Sequence, residues 1–210
     1  MTKNHRLKLP GSVSTVFLAA LLACSAASVA ADSAEEFPRE WFWHSNDEQW
    51  ARHAELVGYP MPELKLSHWM NGEQTVDDLY GKVVVVDFWA TWCGPCLASI
   101  PHNNELQEKY GEEGLVLIGV CGSNSGQEKM AQVATDHDIQ YPIARDETLE
   151  SAQVWRVMWW PTYGVVDRYG KLRALGLKPN HVDAVVEKLL AEPAPEPREE
   201  EDAPAENPTD

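Results

Sequence analysis

Four valines in succession, at residues 83–86 and bounded by Gly81-Lys82, set the strongest limit on what this chain can fold into. A strand that is apolar at every position has no face to offer water, so it must be covered on both sides, which requires a sheet with helices packed over it. The stretch 59–191 predicts such a sheet. A helical segment runs from about 93 to 110, interrupted only by Pro101. An apolar strand follows at 115–120, then a helical segment at 127–137, a short strand near 142–144 and a helix around 148–157. Strands at 162–166 and 172–175 flank the turn Asp167-Arg168-Tyr169-Gly170 and read as a hairpin, and a last helix occupies about 181–190. This order predicts an α/β domain: a central mixed sheet flanked by helices, parallel in its core and finished by an antiparallel pair.

Where the first strand gives way to the first helix stands Trp92-Cys93-Gly94-Pro95-Cys96. Two cysteines separated by two residues at a helix start bring their sulfurs within bonding distance, with only the first expected to face solvent. Backbone N–H groups and the helix dipole favour a thiolate at Cys93, lowering its pKa from about 8.5. Thiolate is the nucleophile of thiol-disulfide exchange, so Cys93 attacks and Cys96 resolves.

The string 86–96, Val-Asp-Phe-Trp-Ala-Thr-Trp-Cys-Gly-Pro-Cys, resembles thioredoxin. With Gly81-Lys82, Pro101, Pro161-Thr162 and Val166-Asp167, the longer frame resembles the TlpA/ResA-type branch of the thioredoxin-like superfamily, the exported thiol-disulfide oxidoreductases, over about 59–191. The resemblance implies a thioredoxin-like fold with an extra N-terminal segment, a redox-active Cys93-Cys96 disulfide and no cofactor. It implies disulfide-containing protein substrates; in an oxidising exported compartment the disulfide must be re-reduced, which predicts a membrane electron donor. Asp87 falls where the family carries a buried acid; desolvation raises such a pKa, fitting it to take the proton of Cys96. Pro161 matches the family's cis-proline opposite the cysteine pair, and Trp92, Gly94 and Pro95 support the site. Trp160 is bulky where the family usually has a small or β-branched residue; Trp159 and Trp160 either shape a substrate groove or pack in the core. One position departs. ResA-like proteins commonly carry a glutamate three residues after the second cysteine, which here is Ser99, leaving Asp87 as the sole obvious proton acceptor.

Cys121 follows the second core strand and is open to two readings, a third thiol that regulates Cys93 or a buried apolar cysteine. A noncatalytic thiol-protein or a metal-binding module would use the same cysteines, with His102 as the nearest histidine, but structural zinc needs a second ligand pair at suitable spacing and none is present. No metal is therefore expected. A peroxidase is excluded because no Pro-x-x-x-Thr-x-x-Cys loop exists: position 89 is Trp and position 86 is Val.

The ends carry their own signals. Lys3, Arg6 and Lys8 precede an apolar run at 13–23 and small residues through Ala31, the layout of a signal peptide over 1–31. Cleavage after Ser28-Val29-Ala30 would release a soluble chain, whereas Leu21-Leu22-Ala23-Cys24 resembles a lipobox that would make Cys24 a lipid anchor. Either route predicts an exported protein, periplasmic or in the cell envelope. Residues 32–58 are acidic and aromatic, with Phe37, Trp41, Phe42, Trp43 and Trp50, and either extend the core or form a docking patch. Residues 192–210 hold eight acids against Arg198, and five prolines, which predicts a disordered tail. A net charge of −16 argues against nucleic acid as a partner.

Overall fold

The computed structural model describes residues 36–196. The expected signal peptide, Cys24 and the tail beyond residue 196 lie outside the described residues.

The four valines lie in β2 (Val83–Trp89), every residue of which is buried. Its neighbours are β3 (Leu115–Cys121) and, beyond that, β4 (Ile143–Arg145), both parallel. On its other side β5 (Thr162–Val166) runs antiparallel and pairs in turn with β6 (Leu172–Leu177). With β1 (Ser67–Met70) antiparallel to β4, the six-stranded order is β1-β4-β3-β2-β5-β6. The mixed sheet follows the sequence reading; β1 does not. Its residues Ser-His-Trp-Met show neither alternation nor a β-branched run, and the pairing is irregular between Ser67 and Met70, with His68 at φ +53°.

Alternation along β2 sends Val83, Val85 and Trp89 to one core and Val84, Val86 and Phe88 to the other. The first core takes Cys96, Ile100, Leu106 and Tyr110 from α2 (Gly94–Tyr110), Met130 and Ala134 from α3 (Met130–Asp136), and Val182, Val185, Val186 and Leu189 from α5 (Val182–Leu190). The second is covered by Trp155, just beyond α4 (Glu150–Val154), and by Leu56, Met61, Leu64 and Leu66. Asp87 stands in register with the first set of β2 positions, so it belongs to the face that meets α2. The helix expected at 148–157 is only five residues long, bounded by Leu149 at φ +60° and Arg156 at φ +55°.

Residues before 59 are integral to the fold. Phe37 and Phe42 join the first core, and α1 (Asp47–Ala54), capped by Asn46 accepting from the Gln49 N–H at 2.9 Å, places His53 in the interior. The outer edge of β6 is paired twice: Trp43 N–H donates to Gly176 O at 3.0 Å, and Leu172 N–H donates to Tyr59 O at 2.9 Å. A sheet edge left open would template association, and this chain closes its own. The aromatic rings therefore extend the core, apart from Trp43, which is half exposed. Arg173 gathers three carboxylates from separate places: Nε donates to Glu36 at 2.9 Å, and Nη1 to Asp167 at 3.0 Å and Glu192 at 2.8 Å.

Candidate active site

Cys93 and Cys96 form a disulfide, with Cα atoms 5.3 Å apart. Helix α2 begins at Gly94, and Cys93 is its N-cap: the sulfur accepts the Cys96 N–H at 3.2 Å. Pro95 falls in the first turn, where a missing N–H costs no helical hydrogen bond. The expectation that Cys93 alone faces solvent is not met: Cys93 is 4% and Cys96 1% exposed, both packed into the first core. Exposed Gly94, Pro95 and Trp92 surround them. Trp92 is held by Nε1–H donating to Ser123 Oγ at 3.3 Å, on the loop after β3. That loop closes onto Thr91, whose hydroxyl donates to Gly126 O at 2.9 Å; a Cβ at Gly126, φ +82°, would lie 2.5 Å from the same hydroxyl oxygen.

Pro161 follows a cis peptide bond from Trp160 at the start of β5. Trp160 is partly buried and its ring meets Trp92 at 5.8 Å, 66° between planes, so the loop before β5 touches the cysteine loop through two indoles. Trp159 does not share that place. Its ring packs on His44 at 5.6 Å and His53 at 5.4 Å, turning toward the N-terminal segment, which corrects the groove reading for that residue. His44 and His53 are themselves joined, Nε2 to Nδ1 at 2.8 Å, and His53 Nε2 lies 3.0 Å from Arg156 O.

Asp87 is 1% exposed. Burial pushes its pKa up to about 7, opposed by the Tyr163 hydroxyl and the Asn103 amide. Asn103 Nδ2 donates to Asp87 Oδ2 at 3.0 Å and to Tyr141 Oη at 3.3 Å, and Asn103 Oδ1 accepts from Tyr163 Oη at 3.1 Å. The strand position opposite Asp87 is Gly119, where a Cβ would lie 2.8 Å from Ile143 Cγ2 and 3.1 Å from the Tyr141 ring, so the missing side chain makes room for both. Sequence reasoning missed Asn103, Tyr141 and Tyr163. The available signal was spacing: Asn103 lies seven residues after Cys96, on the face of α2 that also buries Ser99 and Ile100.

Ser99, the departure noted above, donates its hydroxyl to Pro95 O at 3.0 Å and is buried. Cys121 is a free thiol opposite Trp89, fully buried, its pKa pushed up to about 12 by desolvation. That environment is the opposite of an activating one. His102 points away from the cysteines toward α5, with Nε2 2.9 Å from Asp183 Oδ1.

A Redoxin family model matches residues 56–190. The chain is 33% identical over 146 residues to Protein DipZ of Mycobacterium tuberculosis, covering 64% of this chain and 21% of that protein. It therefore spans about a fifth of the length of that relative. Thiol-disulfide oxidoreductase ResA of Geobacillus thermodenitrificans is 31% identical over 124 residues, covering 58% and 70% respectively. Among solved structures, a putative thiol:disulfide interchange protein DsbE from Chlorobium tepidum superposes with a TM-score of 0.56 at 28% identity, covering 64% of this chain and 96% of that one.

Proposed function

As the chain belongs to the Redoxin family, in its thioredoxin-like TlpA/ResA branch, we propose that it is an exported enzyme that reduces protein disulfides through Cys93 and Cys96. One observation carries the reading: the two sulfurs are bonded to each other at the N-terminus of α2, with Cys93 in the capping position. On reduction that position gives the Cys93 thiolate the backbone N–H of Cys96 and the positive end of the helix dipole.

The cycle requires only the chain's own sulfurs. Cys93 thiolate attacks a substrate disulfide, forming a mixed disulfide and releasing one substrate thiolate. Cys96 loses its proton to Asp87 and attacks the Cys93 sulfur. The Cys93–Cys96 bond forms, the bond to substrate breaks with its electron pair going to the substrate sulfur, and that thiolate takes up a proton. The substrate gains two electrons and the enzyme loses two, so a dithiol donor must restore the reduced state; we assign that role to a membrane electron donor. Pro161 and Trp160 line the approach to the pair. Export rests on the leader pattern at 1–31, with Cys24 as its lipid-anchor variant; among the described residues no helix is long and apolar enough to cross a membrane.

Trapping tests the proposal. Cys96→Ser should accumulate substrates as mixed disulfides on Cys93, resolved by reducing agent, and Cys93→Ser should accumulate none. Equal capture by both variants, or by neither, would rule out the assigned order of attack.

A further inference from the structure

Asp87, taken above as acceptor of the Cys96 proton, is held by a side chain outside the dithiol motif. Asn103 is fully buried and sits on the same buried face of α2 as Cys96, two turns further on. Its carbonyl oxygen accepts the Tyr163 hydroxyl, which leaves the amide's two N–H groups for Asp87 Oδ2 and Tyr141 Oη. The other carboxylate oxygen, Asp87 Oδ1, is buried and no well-aligned hydrogen bond reaches it; the Tyr163 hydroxyl, whose aligned bond goes to Asn103, also stabilises the carboxylate directly as a neighbouring polar group. Neither phenol competes as a base, because burial raises the pKa of both Tyr141 and Tyr163. They come from the stretch before β4 and from β5, so the amide ties α2 to two other parts of the sheet.

We propose that Asn103 is a positioning residue for proton transfer: it anchors Asp87 through Oδ2, leaves Oδ1 to receive the Cys96 proton, and is kept in its donating orientation by Tyr163. The inference rests on Asp87 acting as the base for Cys96. A hydrogen bond to the ionised carboxylate favours that form, so removing the donor strengthens the hold of Asp87 on its proton and moves base-assisted resolution to higher pH. In the resolving step itself the Cys96 S–H proton passes to the carboxylate, the Cys96–Cys93 bond forms, and the departing thiolate carries away the electron pair.

The test uses the full chain with Cys93 loaded as a mixed disulfide with a chromogenic aromatic thiol, release of which by Cys96 is followed in a single turnover across pH. Wild type should show an inflection that Asp87→Asn lacks. Asn103→Leu should move that inflection upward by about one unit and slow release at pH 7 by about 5-fold, while attack by Cys93 on the same disulfide in a Cys96→Ser background stays unchanged. Tyr163→Phe, nearly isosteric and so a check against misfolding, should move it in the same direction. An inflection unmoved in Asn103→Leu, yet abolished by Asp87→Asn, overturns the role of Asn103 and leaves Asp87 as base, whatever Tyr163→Phe does. An inflection that survives Asp87→Asn overturns the base assignment, and the inference falls with it.

Discussion

The indole of Trp92, beside Cys93, and the indole of Trp160, beside the cis-bonded Pro161, meet edge to face with centroids 5.8 Å apart. The two loops proposed above to receive a substrate are thus joined by an aromatic contact. Such a pair is worth about 0.5–1.5 kcal/mol. With all of that energy holding the two loops in their binding arrangement, Trp160→Val should raise KM for peptide disulfides by about 2- to 13-fold and leave kcat with a small-molecule disulfide unchanged. Equal KM values across a panel of peptide disulfides would remove Trp160 from recognition.

The buried carboxyl of Asp87 lowers stability as pH rises. Its folded pKa, about 7, lies above the ordinary aspartate value of 3.8, so the unfolded chain ionises first and each rise in pH between those values favours unfolding. Asp87→Asn should therefore melt higher than wild type at pH 8, by an amount on the order of 4 kcal/mol at most, and converge with it near pH 4. Thermal melts of the oxidised proteins at the two pH values decide this; a variant less stable than wild type at pH 8 contradicts it.

The joined histidines predict an opposite slope on the acid side. Burial first, then the neighbouring charges of His53 and Arg39, depress the pKa of His44 to about 4 from 6.5. Here the unfolded chain takes up the proton first, so stability should fall as pH drops from 7 toward 4. His44→Gln keeps a donor for His53 without a titrating ring and should flatten that part of the stability profile. Parallel profiles for the two proteins would show that the pair does not set acid sensitivity.

Cys121 should take no part in exchange. Complete burial and a pKa pushed up to about 12 leave almost no thiolate at neutral pH. Alkylation followed by mass spectrometry should find it unlabelled in the folded protein and labelled in denaturant, and Cys121→Ala should reduce insulin within about twofold of the wild-type rate if it folds. Rapid native labelling would restore the regulatory reading.

How far the chain could be read depended on where its information is local. The valines at 83–86, the apolar run of β3 and the Asp167–Gly170 turn declare themselves within a few residues, and so does the cysteine motif at a strand-helix junction. β1 was invisible because His68 and Trp69 become a strand only through their pairing with β4. The double cover on β6 was equally hidden: Tyr59 and Trp43 are satisfied by partners more than a hundred residues away, and nothing in their own neighbourhood foretells it. At the site, Cys93, Cys96 and Asp87 could be named from a contiguous string, whereas Asn103, Tyr141 and Tyr163 come from three elements that meet only in the folded core. Trp159 and Trp160, adjacent in sequence, separate to different neighbours.

The guanidinium of Arg173 binds Glu36 and Glu192 together, near the turn at Asp167. That turn adjoins the Val84 end of β2, while the cysteines follow the Trp89 end. Glu36, where the described chain begins, and Glu192, near where it ends, therefore share one pole of the body, and the disulfide occupies the other.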